Sequence, residues 1–286
     1  MKIKFLGTSA AYSNPLPFCN CILCAKARKS GGKDLRKRAS LLINENLLID
    51  MNEDLASASY MHNVDTTKIR HWLQTHSHFD HFSPGHLITR MDEFATQNIQ
   101  PLSLYASSKC IQRMSEKAGK TAWDGVNLFA PEWQSRLSLN VTGVNHGEEF
   151  KCGRYLVTAL YSAHDVNDGS YLWLVNDNSR RLFYGIDADE KSLREDTLKY
   201  LSDNGISLDV VVLDHTYGQV KANDHLNTDS FIAAIQEMKK RHIINDGTKI
   251  FASHISHEGT LPHDEFAAFS KQHGYDIAFD GLELEV

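Results

Sequence analysis

The chain has 286 residues, 42% of them hydrophobic and 23% charged, the ordinary balance of a soluble globular protein of one large or two small domains. No apolar run approaches the length of a membrane span, and the start Met1-Lys2-Ile3-Lys4-Phe5-Leu6-Gly7 lacks the apolar core of a signal peptide, so a cytoplasmic protein is expected. A net charge of −6 argues against a surface built for long nucleic acids, and five cysteines are too few, and odd in number, for a disulfide framework.

The opening heptapeptide alternates like a strand. Cys19, Cys21 and Cys24 follow within six residues, whereas Cys110 and Cys152 stand alone and read as buried or half-buried thiols. Between Lys26 and Arg38 seven basic residues are opposed only by Asp34; this stretch is open between a surface that steers anions and a solvated face. Leu41-Leu42-Ile43 and Leu47-Leu48-Ile49 flank Asn44-Glu45-Asn46, a hairpin signal. Ile69 to Gln74 is β-prone and runs into a histidine-rich loop, after which Ser83-Pro84 reads as a helix cap and first helical residue. Further strands are predicted over 102–105, 155–161, 170–176, 181–186, 209–213 and 249–252. Helices are predicted over 84–94, 107–118, 190–203, 228–242 and 262–273. In 228–242, Phe231, Ile235 and Met238 fall at i, i+4 and i+7, with Asn227 and Thr228 available as caps. Strands in meander-like groups with helices between them predict stacked mixed sheets covered by helices, in one domain over 1–286.

The loop Thr75-His76-Ser77-His78-Phe79-Asp80-His81 packs three imidazoles and a carboxylate into six residues, the donors that bind borderline metals such as zinc. His76 and His78 are two apart, so an extended backbone points both the same way. Asp80 and His81 follow where the chain turns and are placed to serve a second ion. Two ions need more donors, and three more stand at predicted strand ends: His164 after Val157–Tyr161, Asp187 after Arg181–Ile186, and His254 after Lys249–Ala252. The histidines at 62, 86, 146, 242, 263 and 273 lack that context and receive no role.

The His-x-His-x-Asp-His loop followed in order by His164, Asp187 and His254 resembles the metallo-β-lactamase-fold hydrolases over nearly the whole chain, from Phe5-Leu6-Gly7-Thr8-Ser9 to His254. The resemblance implies an αββα sandwich of two mixed sheets flanked by helices, with a dinuclear site at one edge. It assigns His76, His78 and His164 to one ion, Asp80, His81 and His254 to the other, and Asp187 as the bridge. Aspartate at the bridging position, where true β-lactamases carry cysteine, points away from antibiotic hydrolysis.

The segment Phe18 to Arg28 supplies three thiolates, one short of a closed tetrahedral zinc site, and His257 is a candidate fourth ligand. Cys19, Cys21, Cys24 and His257 would then hold a structural zinc on a loop, 19–24, inserted into the domain. This pattern is similar to the subgroup holding the PhnP-type cyclic-phosphate phosphodiesterases and the pyrroloquinoline quinone biosynthesis B proteins. By the same resemblance His225 is expected to contact substrate phosphate, although Asn227 stands where the family usually has Ser; His215 is a weaker candidate for orienting a ligand. The implied activity is hydrolysis of a small phosphodiester, cyclic ones included, by a hydroxide bridging two divalent ions (zinc or manganese, with iron compatible), Asp80 and His225 acting at the reacting atoms. A tRNA 3′-processing-like endoribonuclease, a thioester or lactone hydrolase and a non-catalytic cofactor-biosynthesis accessory protein are the alternatives. The expected partner is a small anionic phosphodiester, with neither membrane nor nucleic acid, and a homodimer is left open.

Overall fold

The computed structural model describes residues 1–94, 99–121 and 124–286. Runs such as Leu41-Leu42-Ile43 and Val210-Val211-Val212-Leu213 are apolar on both faces of a strand, so each needs cover on two sides. The chain provides that cover by stacking two sheets and laying helices outside both.

In chain order the first six strands are β1 (Lys2–Gly7), β2 (Ser40–Ile43), β3 (Leu47–Ile49), β4 (His71–Leu73), β5 (Leu102–Ala106) and β6 (Leu139–Gly143). The next eight are β7 (Glu149–Cys152), β8 (Tyr155–Tyr161), β9 (Tyr171–Asn176), β10 (Arg181–Gly185), β11 (Val210–Asp214), β12 (Lys249–Ser253), β13 (Asp276–Ile277) and β14 (Glu283–Glu285). Among the described residues they form two seven-stranded sheets, ordered β14-β1-β2-β3-β4-β5-β6 and β13-β12-β11-β10-β9-β8-β7. Both are mixed. The first is antiparallel from β14 to β3 and parallel from β3 to β6. The second is antiparallel from β7 to β10 and parallel from β10 to β13.

Period-two alternation divides each strand between two cores. Ile3, Phe5, Leu41 and Ile43 meet Val157, Trp173, Tyr184, Val210 and Val212 between the sheets. Leu42, Leu48, Trp72 and Leu104 turn outward under Leu87, Ile111 and Met114. Val211, Leu213 and Phe183 turn outward under Phe231, Ile235, Met238 and Phe266. Each such fully buried side chain contributes about 1.5–3 kcal/mol relative to exposure. No described helix is long and apolar enough to cross a membrane.

Most predicted elements are present within a residue or two, and the departures have local causes. The helix expected over 84–94 is α-helical only over Pro84–Ile88; beyond it Arg90 N bonds Leu87 O and Met91 N bonds Ile88 O, so the chain tightens into three-residue turns. The helix expected over 190–203 contains a π-turn over Leu193–Thr197. Helices Ile22–Ser30, Leu55–Met61 and Pro131–Arg136 were not expected, nor were β6, β7, β13 and β14. All four of those strands border their sheets, and β7 (Glu149, Lys151) and β14 (Glu283, Glu285) carry charges, the composition that protects an edge and hides the strand signal. At the helix Thr228–Lys240, the departure from Ser at 227 is harmless locally: Asn227 Oδ1 accepts from Asp229 N (3.0 Å) and Ser230 N (3.2 Å), while Ser230 Oγ accepts from Asn227 N (3.0 Å). Such a cap contributes about 1 kcal/mol, and Asn serves as well as Ser.

Four residues of the basic stretch 26–38 find partners within the fold, while Arg28, Lys29 and Lys33 stay exposed. Buried Arg36 donates to Thr8 Oγ1 (2.8 Å) and Ala278 O (2.6 Å). Lys26 pairs with Glu265, Lys37 with Asp280, and Arg38 with Glu53 and Asp54.

Candidate metal centre

The chain leaves β4, β8, β10 and β12 directly into the predicted donors, so they gather at one edge of the sandwich. Trp72 on β4 is buried and donates to Gln74 Oε1 (2.9 Å), and Gln74 Nε2 donates to His76 O (2.6 Å) and His81 O (3.1 Å). This buried amide closes the loop from within. The loop is closed a second time from outside, where Ser77 N and Oγ donate to Asp168.

The structure brings the expected donors together, and His76, His81 and Asp187 also cluster, as do Asp187, Asp214, His225 and His254. His76, His78 and His164 lie together, with ring centroids 4.4–5.3 Å apart, and Asp80, His81 and His254 form a second group. Asp187 stands between them. Its Oδ2 is 2.7 Å from His81 Nε2 and 3.8 Å from His76 Nε2, while its Oδ1 is 3.3 Å from His254 Nε2 and 3.9 Å from His164 Nε2. Asp80 Oδ2 is 3.2 Å from His81 Nε2 and 3.8 Å from His254 Nε2. Two donors on one ion at about 2.0–2.2 Å stand roughly 3–3.5 Å apart; the Asp187–His254 and Asp80–His81 separations fall in that range and the others lie within about half an ångström of it. Moreover His76 Nε2, His81 Nε2, His254 Nε2 and Asp187 Oδ2 are buried without a well-aligned hydrogen bond. Apart from the close His81–Asp187 contact, these atoms gather around the Asp187 carboxylate without partners, an arrangement that fits cations and is costly otherwise.

Backbone strain marks the same residues. Asp187 and His254 occupy left-handed backbone (φ 56° and 58°), as does Asp50 (φ 62°), a conformation non-glycine residues adopt at a cost. Asp50 Oδ2 accepts from His81 Nδ1 (2.7 Å), and the same carboxylate accepts from Thr75 N (2.8 Å) and Oγ1 (2.9 Å). Asp214 Oδ2 faces His225 Nδ1 (3.0 Å) and His254 Nδ1 (3.2 Å) and accepts from Asp187 N (3.1 Å). Asp165 Oδ2 takes His78 Nε2 (3.0 Å), which leaves Nδ1 as the ring nitrogen available to an ion. Each carboxylate fixes a tautomer and orients a ring. None of the three was read from the sequence; the only local signal was an acidic residue closing or following an apolar run.

Charge is unevenly distributed. Burial opposes ionisation of Asp187, yet the imidazoles of His254, His164 and His81 hold it well below the usual carboxylate range. Burial likewise opposes charge on His254, but Asp187, Asp214 and Asp80 push it up to about 10. His76, buried and beside His81, is held well below the imidazole range. The acidic residues thus demand positive charge at the spot where the orphaned atoms meet.

The second cluster is compact. Cys19, Cys21 and Cys24 Sγ lie 3.7, 3.5 and 3.4 Å from His257 Nδ1. Sulfur at about 2.3 Å and nitrogen at about 2.05 Å on one tetrahedral zinc stand roughly 3.6 Å apart, so the four atoms have the spacing of a Cys₃His set. Cys21 also caps the helix Ile22–Ser30: Cys24 N donates to its sulfur (3.4 Å), which together with the His257 contact draws the thiol down to about 6.

His225 lies beside the candidate ion-binding residues, its ring centroid 4.9 Å from that of His164 and 5.5 Å from that of His254. Burial disfavours its charged form, but the Asp214 carboxylate more than offsets this and holds His225 above the ordinary imidazole range. With His164, Asp187 and His254 it lines a cleft of ≈ 280 Å³. A larger cavity of ≈ 600 Å³ lies around Lys2, Lys4, Tyr60 and Glu283 and touches none of these residues.

His215 does not orient a ligand. It is buried among Phe231, Phe266 and Tyr275, and its neighbour Asp214 does the orienting. Burial lowers His215 to about 4. A folded-state value below the unfolded one means that the unfolded chain takes up the proton first as pH falls. The stability this contributes is present above about pH 6.5 and is lost toward pH 4. His215→Phe is therefore expected to flatten the stability loss between pH 7 and pH 5 by roughly 1–2 kcal/mol. Urea midpoints at the two pH values check it, and an unchanged pH dependence would refute it.

The sequence profile of the Beta-lactamase superfamily domain matches residues 45–245. Among solved structures, the chain is similar to a diphosphatase from the PhnP family (20% identity, 100% of this chain and 96% of that one, TM-score 0.69). It is also similar to Zn(2+)-bound PqqB from Methylobacterium extorquens (17%, 100% of both chains, TM-score 0.73). The short form of human tRNase Z is a third (15%, 100% and 99%, TM-score 0.62). At these identities the likeness concerns the fold, an αββα sandwich. Among curated proteins none matches the chain.

Proposed function

The chain belongs to the beta-lactamase superfamily, and from that premise we propose that it is a dinuclear metal-dependent hydrolase of small phosphodiesters, cyclic ones included. The observation that carries this reading is Asp187, one carboxylate whose two oxygens face imidazoles of two separate donor groups. His76, His78 and His164 would hold one divalent ion and Asp80, His81 and His254 the other. Zinc, manganese or iron suits nitrogen and oxygen donors, and such a pair supplies charge neutralisation at phosphate oxygens and activation of water. Cys19, Cys21, Cys24 and His257 would hold a third, structural zinc.

The remaining chemistry falls to the chain's own residues. Asp214 accepts the Nδ1 proton of His225, which leaves Nε2 as its second proton-bearing atom at the cleft. The Asp214 carboxylate raises the proton affinity of His225, which suits it to pass a proton to the departing alkoxide. Asp50 and Asp214 keep His81 and His254 turned inward, so the geometry is prepared before substrate arrives. A cleft of ≈ 280 Å³ is at the small end of ligand sites, which favours a small phosphoester over a folded RNA.

Bis-p-nitrophenyl phosphate hydrolysis by the metal-loaded protein tests the reading directly. His225→Ala is expected to lower kcat/KM by about 10²–10³-fold on an alkyl phosphodiester, whose leaving group needs a proton. On p-nitrophenolate, which leaves without one, the loss should be less than about tenfold. Equal losses on both would remove His225 from the acid role. A phosphoanhydride substrate is the second reading, because one structural neighbour is a diphosphatase; its phosphate leaving group would also show the small His225 dependence.

A further inference from the structure

The hydrolytic centre makes no use of the aromatic side chains at the mouth of its cleft. Phe79 sits between His78 and Asp80 yet is 49% exposed, and Tyr12, 57% exposed, lies against it with ring centroids 5.5 Å apart and planes at 44°. Both rings line the same cleft as His164, Asp187 and His225. Large rings in mutual contact and left half in water are not explained by core packing. The pair also has a fixed back. The Arg38 guanidinium stands 5.8 Å from the Phe79 centroid and is pinned by Asp54 (3.0 Å) and Ala11 O (3.2 Å). Tyr217, edge-on to His225 at 5.6 Å, adds a third ring to the lining.

We propose that Tyr12 and Phe79 form an aromatic platform for a planar ring carried by the substrate, so that the protein prefers phosphodiesters of nucleosides over those of simple sugars or alkyl alcohols. This rests on the phosphodiesterase reading of the same cleft. Adjacency is the argument: Phe79 is joined by single peptide bonds to two of the expected ion-binding residues. A ring stacked there lies in the same cleft as Asp187 and His225, where its phosphoester can meet them. Ser256 and Glu258, on the same lining, offer a hydroxyl and an acceptor to the polar edge of a base or to ribose. Every base has a π face, so the platform selects for the presence of a ring rather than its identity.

Thymidine 5′-(p-nitrophenyl phosphate) and methyl p-nitrophenyl phosphate share a leaving group and differ only in what stays on phosphorus. The wild type is expected to favour the nucleoside ester by about tenfold or more in kcat/KM, the low end for one stacked base. Tyr12→Ala should reduce that preference mainly through KM, and Tyr12→Phe should keep it. Phe79→Leu, which retains apolar bulk beside His78 and Asp80 but removes the ring, should reduce it too, with metal content measured alongside. A preference unmoved by either ring deletion overturns the proposal. Calorimetric titration with thymidine 5′-monophosphate and ribose 5-phosphate separates this inference from the reading beneath it. If neither diester is hydrolysed but the nucleotide binds about tenfold tighter than the sugar phosphate, and Tyr12→Ala removes the difference, the hydrolase reading fails and the platform stands. If both diesters are hydrolysed alike and the nucleotide binds no tighter, the platform fails and the hydrolase stands.

Discussion

Asp187→Asn is expected to lower kcat/KM on bis-p-nitrophenyl phosphate by at least about a thousandfold, on the order of 4 kcal/mol of transition-state stabilisation. Both carboxylate oxygens are committed, Oδ2 toward His81 and His76 and Oδ1 toward His254 and His164. An amide keeps the volume but surrenders the negative charge and turns one acceptor into a donor facing imidazole nitrogens. The fold should survive. Asn tolerates the left-handed backbone at this position (φ 56°), and the bonds that hold the backbone, Asp187 N to Asp214 Oδ2 and Ser162 Oγ to Asp187 O, remain available. The measurements are turnover, metal content by elemental analysis and far-UV circular dichroism. A folded variant with full metal and full activity would falsify the bridging role.

Cys24→Ser should act on stability first. Cys24 is buried in the helix Ile22–Ser30, with its sulfur 3.4 Å from His257 Nδ1, and it joins the N-terminal loop to the segment that follows His254. A zinc held there at a free concentration a thousandfold above its dissociation constant stabilises the folded chain by about 4 kcal/mol. At roughly 2–4 °C per kcal/mol, losing it lowers Tm by about 8–16 °C. Elemental analysis should show one zinc fewer while the ions at the His/Asp centre remain. Activity should fall less than in the Asp187 variant, because His257 and Glu258 line the cleft without belonging to either donor triad. If zinc content and Tm both match the wild type, the cysteine trio is not a zinc site.

The site was more legible than its supports. His76, His78, Asp80 and His81 are contiguous, and a dense run of donors on one loop has few explanations other than an ion. His164, Asp187 and His254 could be found because apolar runs announce strand ends, and donors at strand ends in such sheets share an edge. Asp50, Asp165 and Asp214 carry no such mark. An acidic residue closing or following an apolar run looks like any solvated turn, and its task is set by the histidine it meets 31, 87 or 11 residues away. His215 shows the converse: it was a candidate for orienting a ligand, whereas backbone alternation turns it into the core and points its neighbour Asp214 at the histidines. The basic run 26–38 stayed open in the sequence because Glu53, Glu265 and Asp280, which pair with Arg38, Lys26 and Lys37, are distant from it.

Local chemistry by itself determined the donor loop, the cysteine trio, the positions of most strands and helices, and the mixed character of the sheets. Those features depend on residue type, on spacing within a few residues and on the two periods of regular backbone. Tertiary structure alone decided which carboxylate orients which imidazole, that Arg36 is buried, and that Tyr12 and Phe79 share the mouth of one cleft. Those pairings follow from how the strand ends meet at the edge of the sandwich. The sequence encodes that geometry only through the sum of its packing.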